Sequence, residues 1–450
     1  MRIIIIGVGK VGTTLIESFV KEGHDIVVVD LSETKVANAV NKYDVNGIIG
    51  GGLERSVLSD AGVESADFFI ACTSRDETNV LCCVLAKKLG AKRTIARVRD
   101  PQYFKEMENL REYLGLDLAF NPEYRAAMDI INVLDFPSAK SVESFAGGKA
   151  LLVEFYISAA NSIKDKPLME VAAQYKCKFL FCMVKREDKV FIPRGDFVIH
   201  ENDSVYIIAT ESELKAFCKK LKIFKSPVRS VFIIGGSKIA YYLTSELVKN
   251  GVAVKIIEND KTRCKELSER IPEATILFGD GTDQNILREE GLKTSDACVT
   301  LTGVDEENVI ISLYAKMLGV GKVVTKVDRP TVTDMVKKFG LDTVVSPRNS
   351  IANHIIRFVR KELSEKSEGM NALYKLHDKV EAVEFTVGGD FSGINKKLSE
   401  LKIKKDTLIG GIVRDGEFIL PVGETRFLLG DRVIVVAAER KISALNDMLI

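Results

Sequence analysis

The feature that most constrains this chain is an internal duplication that runs through its 450 residues. An apolar run that ends in glycine, Ile3–Gly7, recurs as Val231–Gly235, and the two glycines lie 228 residues apart. A duplication of this length predicts two similar halves, each large enough to hold domains of its own. Further motifs recur in the same order: Asp30 as Glu258, Gly50–Gly52 as Gly279–Gly281, Asp67–Thr73 as Asp296–Thr302, Asp76–Asn79 as Asp305–Asn308, and Arg97–Pro101 as Lys326–Pro330.

Each half begins with a pattern typical of nucleotide binding. In the first half the isoleucine run Ile3–Ile6 predicts a strand that is buried on both faces of a parallel sheet. Gly7, Gly9 and Gly12 then fit the G-x-G-x-x-G pattern ahead of a predicted helix. These glycines allow a tight turn, close approach of the backbone to a pyrophosphate, and close packing of the helix. Asp30 ends the next predicted strand, where a carboxylate can accept hydrogen bonds from ribose hydroxyls.

The order of elements predicts an α/β fold. Strands alternate with helices as far as about residue 136, which indicates a Rossmann-like, doubly wound parallel sheet. Beyond Pro137 the pattern changes to a small α+β module, with a hairpin at Phe179–Pro193 and a strand at Ala150–Ile157 that alternates as if one face were exposed. Both parts recur in the second half. The predicted domains are two Rossmann-like lobes, 1–136 and 228–364, and two small modules, 137–222 and 370–450.

Composition excludes several classes of protein. The chain has 64 basic and 63 acidic residues and no Trp, so no overall charge or stacking surface favours nucleic acid. No apolar run is long enough to span a bilayer, and the run Met1–Gly9 is too short for a signal peptide. Eight cysteines without C-x-x-C pairs and four scattered histidines predict reduced thiols in a cytosolic protein and no metal site.

A helix between each lobe and its module is also predicted, at Pro122–Leu134 and at Asn349–Leu363. The second helix carries an apolar stripe of Ile351, Ile355, Ile356 and Val359. Such a stripe either packs within its own lobe or belongs to a crossover or dimer helix that contacts another lobe. The sequence leaves both interpretations open.

The duplicated order of lobe and module resembles the double regulator-of-potassium-conductance (RCK) family of Trk potassium uptake systems. The signatures are Thr73-x-x-Asp76-Glu77-x-Asn79, Arg97–Pro101 and Ile192-Pro193-x-Gly195, each with a copy in the second half, and the resemblance covers essentially the whole chain. It implies a regulatory subunit, not an enzyme, that binds NAD(H) and adenine nucleotides such as ATP or ADP. It further implies a homotetrameric ring of lobes at the inner face of the cell membrane, where it would control flux through a separate potassium-translocating subunit.

The resemblance also assigns ligand contacts in the first lobe. Gly51 stands where the family usually has an acid, which predicts looser recognition of the adenine. Thr73 has an alternative interpretation as a helix cap, and Arg97 as the partner of a surface acid. The implied contacts are Gly7, Val8, Gly9, Lys10, Val11 and Gly12 for phosphate, Asp30 for ribose, and Gly51, Gly52, Thr73, Ser74 and Arg97 around the adenine and the pyrophosphate.

In the second lobe Ser237 replaces the second glycine and places a Cβ where the backbone should approach the pyrophosphate. We therefore expect this lobe to prefer a mononucleotide such as ATP or ADP, or to bind weakly. Asp30 and Glu258 would both repel a ribose 2′-phosphate, which predicts NAD rather than NADP. The implied contacts are Gly235, Gly236, Ser237, Lys238, Ile239, Glu258, Asp280, Thr302 and Lys326.

Two other functions compete with a gating subunit. An NAD-dependent oxidoreductase needs an acid or base near the nicotinamide, but His24, His200, His354 and His377 stand apart from the crevice motifs, and the modules are small for substrate domains. A repressor needs a basic face or a helix-turn-helix, and the sequence shows neither. The oxidoreductase remains the alternative.

Overall fold

The protein is described by a computed structural model that covers residues 1–159, 161–176, 178–187, 189–221, 227–329, 332, 335–336, 339–341, 343–364, 369–377, 379–438 and 442–450. It divides into two compact units. The first contains Met1–Met128 together with Val345–Ile356, and the second contains Asp129–Val344 together with Arg357–Ile450. The segment Val345–Ile356 contains three of the four residues of the apolar stripe and belongs to the first unit, which favours the crossover interpretation of this helix.

The first lobe is a six-stranded sheet with the strand order β3-β2-β1-β4-β5-β6, and all its neighbouring strands are parallel. The order reverses between β1 and β4, which creates the crevice where ligands bind in open α/β sheets. The predicted doubly wound fold is confirmed. Its strands are β1 Arg2–Ile6, β2 Asp25–Asp30, β3 Asn46–Ile49, β4 Phe68–Ala71, β5 Arg93–Arg97 and β6 Leu118–Phe120, and its helices are α1 Lys10–Lys21, α2 Glu33–Tyr43, α3 Arg55–Asp60, α4 Asp76–Leu89, α5 Pro101–Leu110 and α6 Pro122–Asp135.

The first module is a five-stranded antiparallel sheet with the order β10-β9-β11-β8-β7. The predicted hairpin is formed by β9 and β10. The strands are β7 Ser141–Phe145, β8 Ala150–Tyr156, β9 Phe179–Arg186, β10 Lys189–Phe191 and β11 Ser204–Ala209, and the helices are α7 Leu168–Tyr175 and α8 Glu211–Lys220.

The second half repeats both parts. Its lobe has the order β14-β13-β12-β15-β16-β17, which matches the first lobe, and its module has the order β18-β19-β22-β20-β21. The lobe contains β12 Ser230–Ile234, β13 Ala253–Glu258, β14 Thr275–Phe278, β15 Ala297–Thr300, β16 Lys322–Lys326, β17 Thr343–Val345, α9 Lys238–Lys249, α10 Lys261–Arg270, α11 Gln284–Glu289, α12 Asp305–Met317 and α13 Pro347–Ser364; the module contains β18 Met370–His377, β19 Val380–Thr386, β20 Thr407–Arg414, β21 Glu417–Ile419 and β22 Arg432–Ala438.

The sheets of the two modules pack face to face within the second unit. Leu152 and Val153 point to opposite faces of β8, and both are buried, Leu152 in a cluster shared with the second module. The backbone N–H of Ala146 donates to Glu384 Oε2 at 2.7 Å, and the Tyr374 hydroxyl donates to the Ser144 carbonyl at 2.7 Å. The predicted exposed face of Ala150–Ile157 is therefore present only in part: Tyr156 is exposed, whereas Ala150 and Leu152 are buried in the cluster shared with the other module.

Candidate nucleotide-binding sites

The glycine-rich loop of the first lobe has the geometry that its pattern predicts. Gly7 has a φ of +99°, and a Cβ there would lie 2.9 Å from the backbone nitrogen of Thr73. A Cβ on Gly12 would lie 2.0 Å from the Gly7 carbonyl oxygen, so α1 packs directly against the loop. Gly9 precedes α1, faces open space, and leaves the helix start without a side-chain cap. The unpaired N–H groups of such a helix start attract phosphate.

Asp30 connects the glycine-rich loop to the end of β2 by hydrogen bonds. Its Oδ2 accepts from the Val8 N–H at 2.8 Å, and its Oδ1 accepts from the Ser32 N–H at 2.9 Å. A ligand that uses the Val8 amide would have to displace Asp30. The next two predicted contacts, Lys10 and Val11, lie in the first turn of α1, with Lys10 exposed and the Val11 side chain buried.

A carboxylate lies beside Gly51 although the family's usual acid is missing there. Glu54 Oε1 accepts from the Gly51 N–H at 2.9 Å. The sequence pattern did not indicate a role for Glu54, which lies three residues after Gly51. Gly52 serves packing, since a Cβ there would lie 2.5 Å from Ile6 and 2.9 Å from the Cys82 sulfur.

Thr73 is held by Asn79 and is not a helix cap. Asn79 Oδ1 accepts from both the N–H and the hydroxyl of Thr73 at 2.7 Å, and Asn79 Nδ2 donates to the Arg97 carbonyl at 3.0 Å. The fully buried Asn79 thus ties the ends of β4 and β5 together at the crevice. Ser74 follows Thr73 and is exposed. The cap position of α4 is instead Arg75, whose side chain makes no capping bond.

Arg97 is a largely buried cation at the end of β5, with a side chain that is 14% exposed. Its Nη2 lies 3.5 Å from Glu123 Oε1, while the Arg99 Nε holds the same oxygen at 2.7 Å. Burial lowers the pKa of Arg97, although the charge of Glu123 opposes that shift. Its Nε has no hydrogen-bond partner among the described residues. A partly paired guanidinium at the crevice is suited to an anionic ligand.

The loop of the second lobe has the same turn but a different helix start. Gly235 has a φ of +98°, and Glu258 Oε2 accepts from the Gly236 N–H at 2.6 Å, as Asp30 does in the first lobe. Ser237, however, caps α9 by accepting from the Ala240 N–H at 3.4 Å. The Arg263 Nε also donates to the Gly236 carbonyl at 2.6 Å. In the second lobe, the side chains of Ser237 and Arg263 therefore form hydrogen bonds with the Ala240 N–H and the Gly236 carbonyl. In the first lobe, the start of α1 has no side-chain cap.

The remaining predicted contacts of the second lobe occupy positions equivalent to those of the first. Asp280 Oδ1 accepts from the N–H and hydroxyl of Thr282, both at 2.8 Å, and these bonds lower its pKa. The Thr302 N–H donates to Asn308 at 2.9 Å, and the Lys326 Nζ donates to the Thr302 carbonyl at 3.2 Å. The last two contacts, Lys238 and Ile239, begin α9, with the Ile239 side chain buried.

The signature motif also contains an acid in each lobe, Asp76 and Asp305, for which the sequence predicted no role. Asp76 Oδ2 accepts from the N–H groups of Arg99 and Asp100, both at 2.8 Å. In the second lobe Asp305 accepts from the N–H groups of Asp328 and Arg329. Each acid therefore fixes the turn that follows the strand bearing Arg97 or Lys326. The recurrence of Asp and Asn in both copies was the signal that could have revealed this role.

Two Rossmann-like lobes, each with a glycine-rich loop at its crevice and each followed by a small antiparallel module, define the architecture of the double RCK class. Models of the TrkA-N domain match residues 3–122 and 231–347, and models of the TrkA-C domain match residues 152–222 and 382–449. The chain belongs to the TrkA family.

Individual relatives agree with this assignment. The Trk system potassium uptake protein TrkA homolog 2 of Methanosarcina mazei is 31% identical over 460 residues, and the TrkA homolog of Archaeoglobus fulgidus is 32% identical over 453 residues; each match covers 100% of both chains. The fold resembles a solved structure described as the GsuK channel bound to NAD, with a TM-score of 0.64 at 19% identity, over 97% of this chain and 76% of that one.

These relatives are potassium uptake proteins, which confirms the prediction that the chain is a regulatory protein and not an oxidoreductase. Among the residues that the structure describes, no helix is long and apolar enough to cross a membrane. The same residues contain no group of three potential metal ligands.

Proposed function

We propose that this chain is the nucleotide-sensing subunit of a Trk-type potassium uptake system and controls potassium flux through a separate potassium-translocating membrane subunit. It would act in the cytoplasm, held at the inner face of the cell membrane by that partner. The observation that carries the proposal is the open, uncapped helix start at Gly9, with Asp30 and the partly buried cation Arg97 at the same crevice. Full-length similarity to Trk system potassium uptake proteins supports the transport role.

The first lobe is the proposed NAD(H) site. The start of α1 and Arg97 would bind the pyrophosphate, and Asp30 would accept from the ribose hydroxyls. Asp30 already accepts from the Val8 N–H, and its remaining lone pairs would accept from the ribose hydroxyls. One carboxylate would then connect the loop, the end of β2 and the ligand, which supplies a local change that depends on the ligand.

The second lobe is the proposed site for ATP or ADP, or for weaker dinucleotide binding. Ser237 fills part of the space above the helix start and uses one of its N–H groups. Asp280 and Glu258 still provide carboxylates on the adenosine side. A ligand that relies less on a deeply seated pyrophosphate fits this arrangement better than NAD(H) does.

A matched pair of substitutions tests the assignment of ligands. Gly7→Ala and Gly235→Ala both add a methyl group at a positive φ, 2.9 Å from the backbone nitrogen of Thr73 and of Thr302, respectively. We expect Gly7→Ala to remove the calorimetric signal for NADH and to leave the ATP signal, and Gly235→Ala to do the reverse. Equal NADH affinity in the two variants would reject the division between the lobes.

The regulatory role is tested by transport. Potassium flux through the membrane subunit, reconstituted with and without this protein, should respond to NADH and ATP. A typical coupling free energy of about 1–3 kcal/mol corresponds to roughly 5–150-fold changes in an equilibrium between two states. We expect Gly7→Ala to abolish the NADH response. Flux that ignores this protein altogether would contradict the proposal.

We also propose that the chain assembles as a homotetrameric ring of lobes. Large apolar side chains are exposed at equivalent positions of the two lobes, Leu81 and Ile310 on α4 and α12, which are 54% and 65% exposed. The recurrence of exposed apolar groups on the same helix face favours contacts between lobes. Replacing both with Lys should reduce the mass measured by light scattering. Met169→Lys, at an exposed position on α7, is the control and should leave the mass unchanged.

A further inference from the structure

A cavity of about 390 Å³ lies within the second unit, away from both nucleotide loops. The end of α6 and the first module form one side, and Leu247 and Val252 of the second lobe form part of the other. The charged residues that line it are Asp135, Glu211 and Lys215. The walls are otherwise mainly apolar, so the cavity combines an apolar interior with a small number of charges, as small-molecule sites do.

The duplication shows what occupies the equivalent place in the second half. The helices α6 and α13 both begin at a proline, Pro122 and Pro347, and 13 residues later the first has Asp135 and the second has Arg360. The strands β8 and β19 share the sequence Val-Glu-Phe, and the residue two positions before it is Leu151 in β8 and Glu381 in β19.

In the second half these two positions form a buried ion pair. The Arg360 Nη1 lies 2.8 Å from Glu381 Oε2, and the Arg360 Nη2 donates to Glu381 Oε1 at 3.0 Å. Both residues are buried. A bidentate pair of this kind fills the space between the helix and the sheet and satisfies its own charges.

The first half lacks both members of the pair, and both replacements line the cavity. Leu151 supplies no charge, and Asp135 puts a carboxylate where the second half has a guanidinium. Arg357, which stacks on the Tyr374 ring, has the smaller Asn132 as its counterpart, and Asn132 also lines the cavity. Shorter side chains therefore line the cavity at the positions where the second half has arginines.

The charge in the cavity is unbalanced. Lys215 is paired with Glu211 on α8. Asp135 lies at the rim, where it is exposed, and it has no hydrogen bond or ion pair with any residue that the structure describes. Partial loss of solvent around its carboxylate raises the pKa of Asp135, and the nearby charge of Glu211 adds to that shift while Lys215 opposes it. A cation bound in the cavity could therefore pair with this carboxylate without breaking an existing contact.

We propose that this cavity binds a small organic cation of the alkylguanidinium type, with Asp135 as its counter-ion. The guanidinium would pair with Asp135, so here the helix would supply the carboxylate. In the Arg360–Glu381 pair the helix supplies the guanidinium instead. The alkyl chain would contact Leu151, Leu247 and Val252. The proposal concerns a site separate from both nucleotide loops and does not rest on the function proposed for them.

The first test titrates butylguanidinium into the full chain and follows saturable binding by calorimetry. We expect the wild type to bind it and to ignore butylurea, which has a similar shape but no charge. Asp135→Asn should weaken binding by about tenfold or more, because a charge-assisted hydrogen bond is lost. Asp196→Asn makes the same change at an exposed position of the same module and should leave the affinity unchanged.

A second test transplants the ion pair. The double variant Asp135→Arg with Leu151→Glu should fill the cavity as Arg360 and Glu381 do, and should lose butylguanidinium binding while remaining folded by circular dichroism. NADH binding, which uses another site, should persist in every variant. The proposal is overturned if the wild type shows no saturable binding at millimolar butylguanidinium, or if Asp135→Asn and Asp196→Asn bind it equally.

Discussion

The two lobes share a strand order, and in both an Asp and an Asn form the same hydrogen bonds at the ends of the strands. They differ where a phosphate would bind. In the first lobe Gly9 leaves the start of α1 uncapped, whereas in the second Ser237 caps α9. The glycine faces open space, and the serine hydroxyl accepts an N–H of its own helix. One lobe therefore keeps its anion-binding groups for a ligand, and the other uses one of them internally.

The lobes also differ in how closely the helix packs against the loop. A Cβ on Gly12 would lie 2.0 Å from the Gly7 carbonyl oxygen, a distance that no real Cβ can adopt. The second lobe has Ala240 at the equivalent position, and Ala240 is fully buried. The helix α9 must therefore stand further from its loop than α1 does. The tighter loop belongs to the lobe with the complete glycine pattern.

The largest effect is expected from adding that methyl group to the first lobe. Gly12→Ala should abolish NADH binding there and lower the free energy of unfolding of the lobe by about 1–3 kcal/mol, because the clash is with backbone and not with a movable side chain. Calorimetry and chemical unfolding measure the two effects. Ala240→Gly is the matched control, and should cost about 1 kcal/mol of helix stability while changing ATP affinity little. Wild-type NADH affinity in Gly12→Ala would break the comparison.

The next largest effect is expected from exchanging Gly9 and Ser237, the residues that precede α1 and α9. Gly9→Ser should weaken NADH binding to the first lobe by about tenfold, since the hydroxyl would occupy the space and the N–H that the phosphate needs. Ser237→Gly should strengthen dinucleotide binding to the second lobe by a smaller factor, because Arg263 still holds the Gly236 carbonyl. Binding is measured in the Gly235→Ala and Gly7→Ala backgrounds, respectively, so that each lobe is read alone. If both exchanges leave NADH affinity unchanged, Ser237 does not explain the difference.

The sequence predicted the parts of the fold that depend on local patterns. Apolar strands, glycine spacing and the duplication were sufficient for the parallel sheets and for the position of Asp30, because each signal lies within a few residues of the structure it specifies. The Ser32 cap on α2 is a local feature of the same kind, since its side chain accepts from the N–H of Lys35 only three residues away. The same reasoning identified Ser237 as the distinctive residue of the second lobe.

What the sequence did not predict depends on distant contacts. Alternation in Ala150–Ile157 marks two faces of a strand but does not say what covers each, and the second module covers Ala150 and Leu152 on the face expected to be exposed. The loss of an acid at Gly51 was visible, but its substitution by Glu54 depends on how α3 begins. The roles of Asp76 and Asn79 depend on backbone groups about 20 residues away in sequence, which no local pattern shows.

A smaller effect concerns the acids that fix the turn after β5 or β16. Burial opposes ionisation of Asp305, but the N–H groups of Asp328 and Arg329 outweigh it, and the pKa of Asp305 is lowered from 3.8. Its contribution to stability is therefore present above the unfolded-state pKa and is lost as the pH falls through the lower folded value. Asp305→Asn should cost about 1 kcal/mol at neutral pH and make acid unfolding of the second lobe less steep. Asp76→Asn is the counterpart, and an identical acid profile for Asp305→Asn and wild type would contradict the assignment.

The smallest effect compares the caps of α2 and α10, which begin at equivalent places after Asp30 and Glu258. Ser32 accepts one N–H, that of Lys35, at 3.4 Å, whereas Asp260 accepts from Thr262 at 2.7 Å and from Arg263 at 3.1 Å. The charged cap with two shorter bonds should matter more, so Asp260→Ala should cost about 1 kcal/mol and Ser32→Ala about half of that. Hydrogen exchange of the first turn of each helix measures both costs. Because Asp260 also positions Arg263 beside the Gly236 carbonyl, Asp260→Ala should loosen the phosphate loop of the second lobe, and Ser32→Ala should leave the first loop as it is. A larger rise in exchange in α2 of Ser32→Ala than in α10 of Asp260→Ala would reverse this ranking of the two caps.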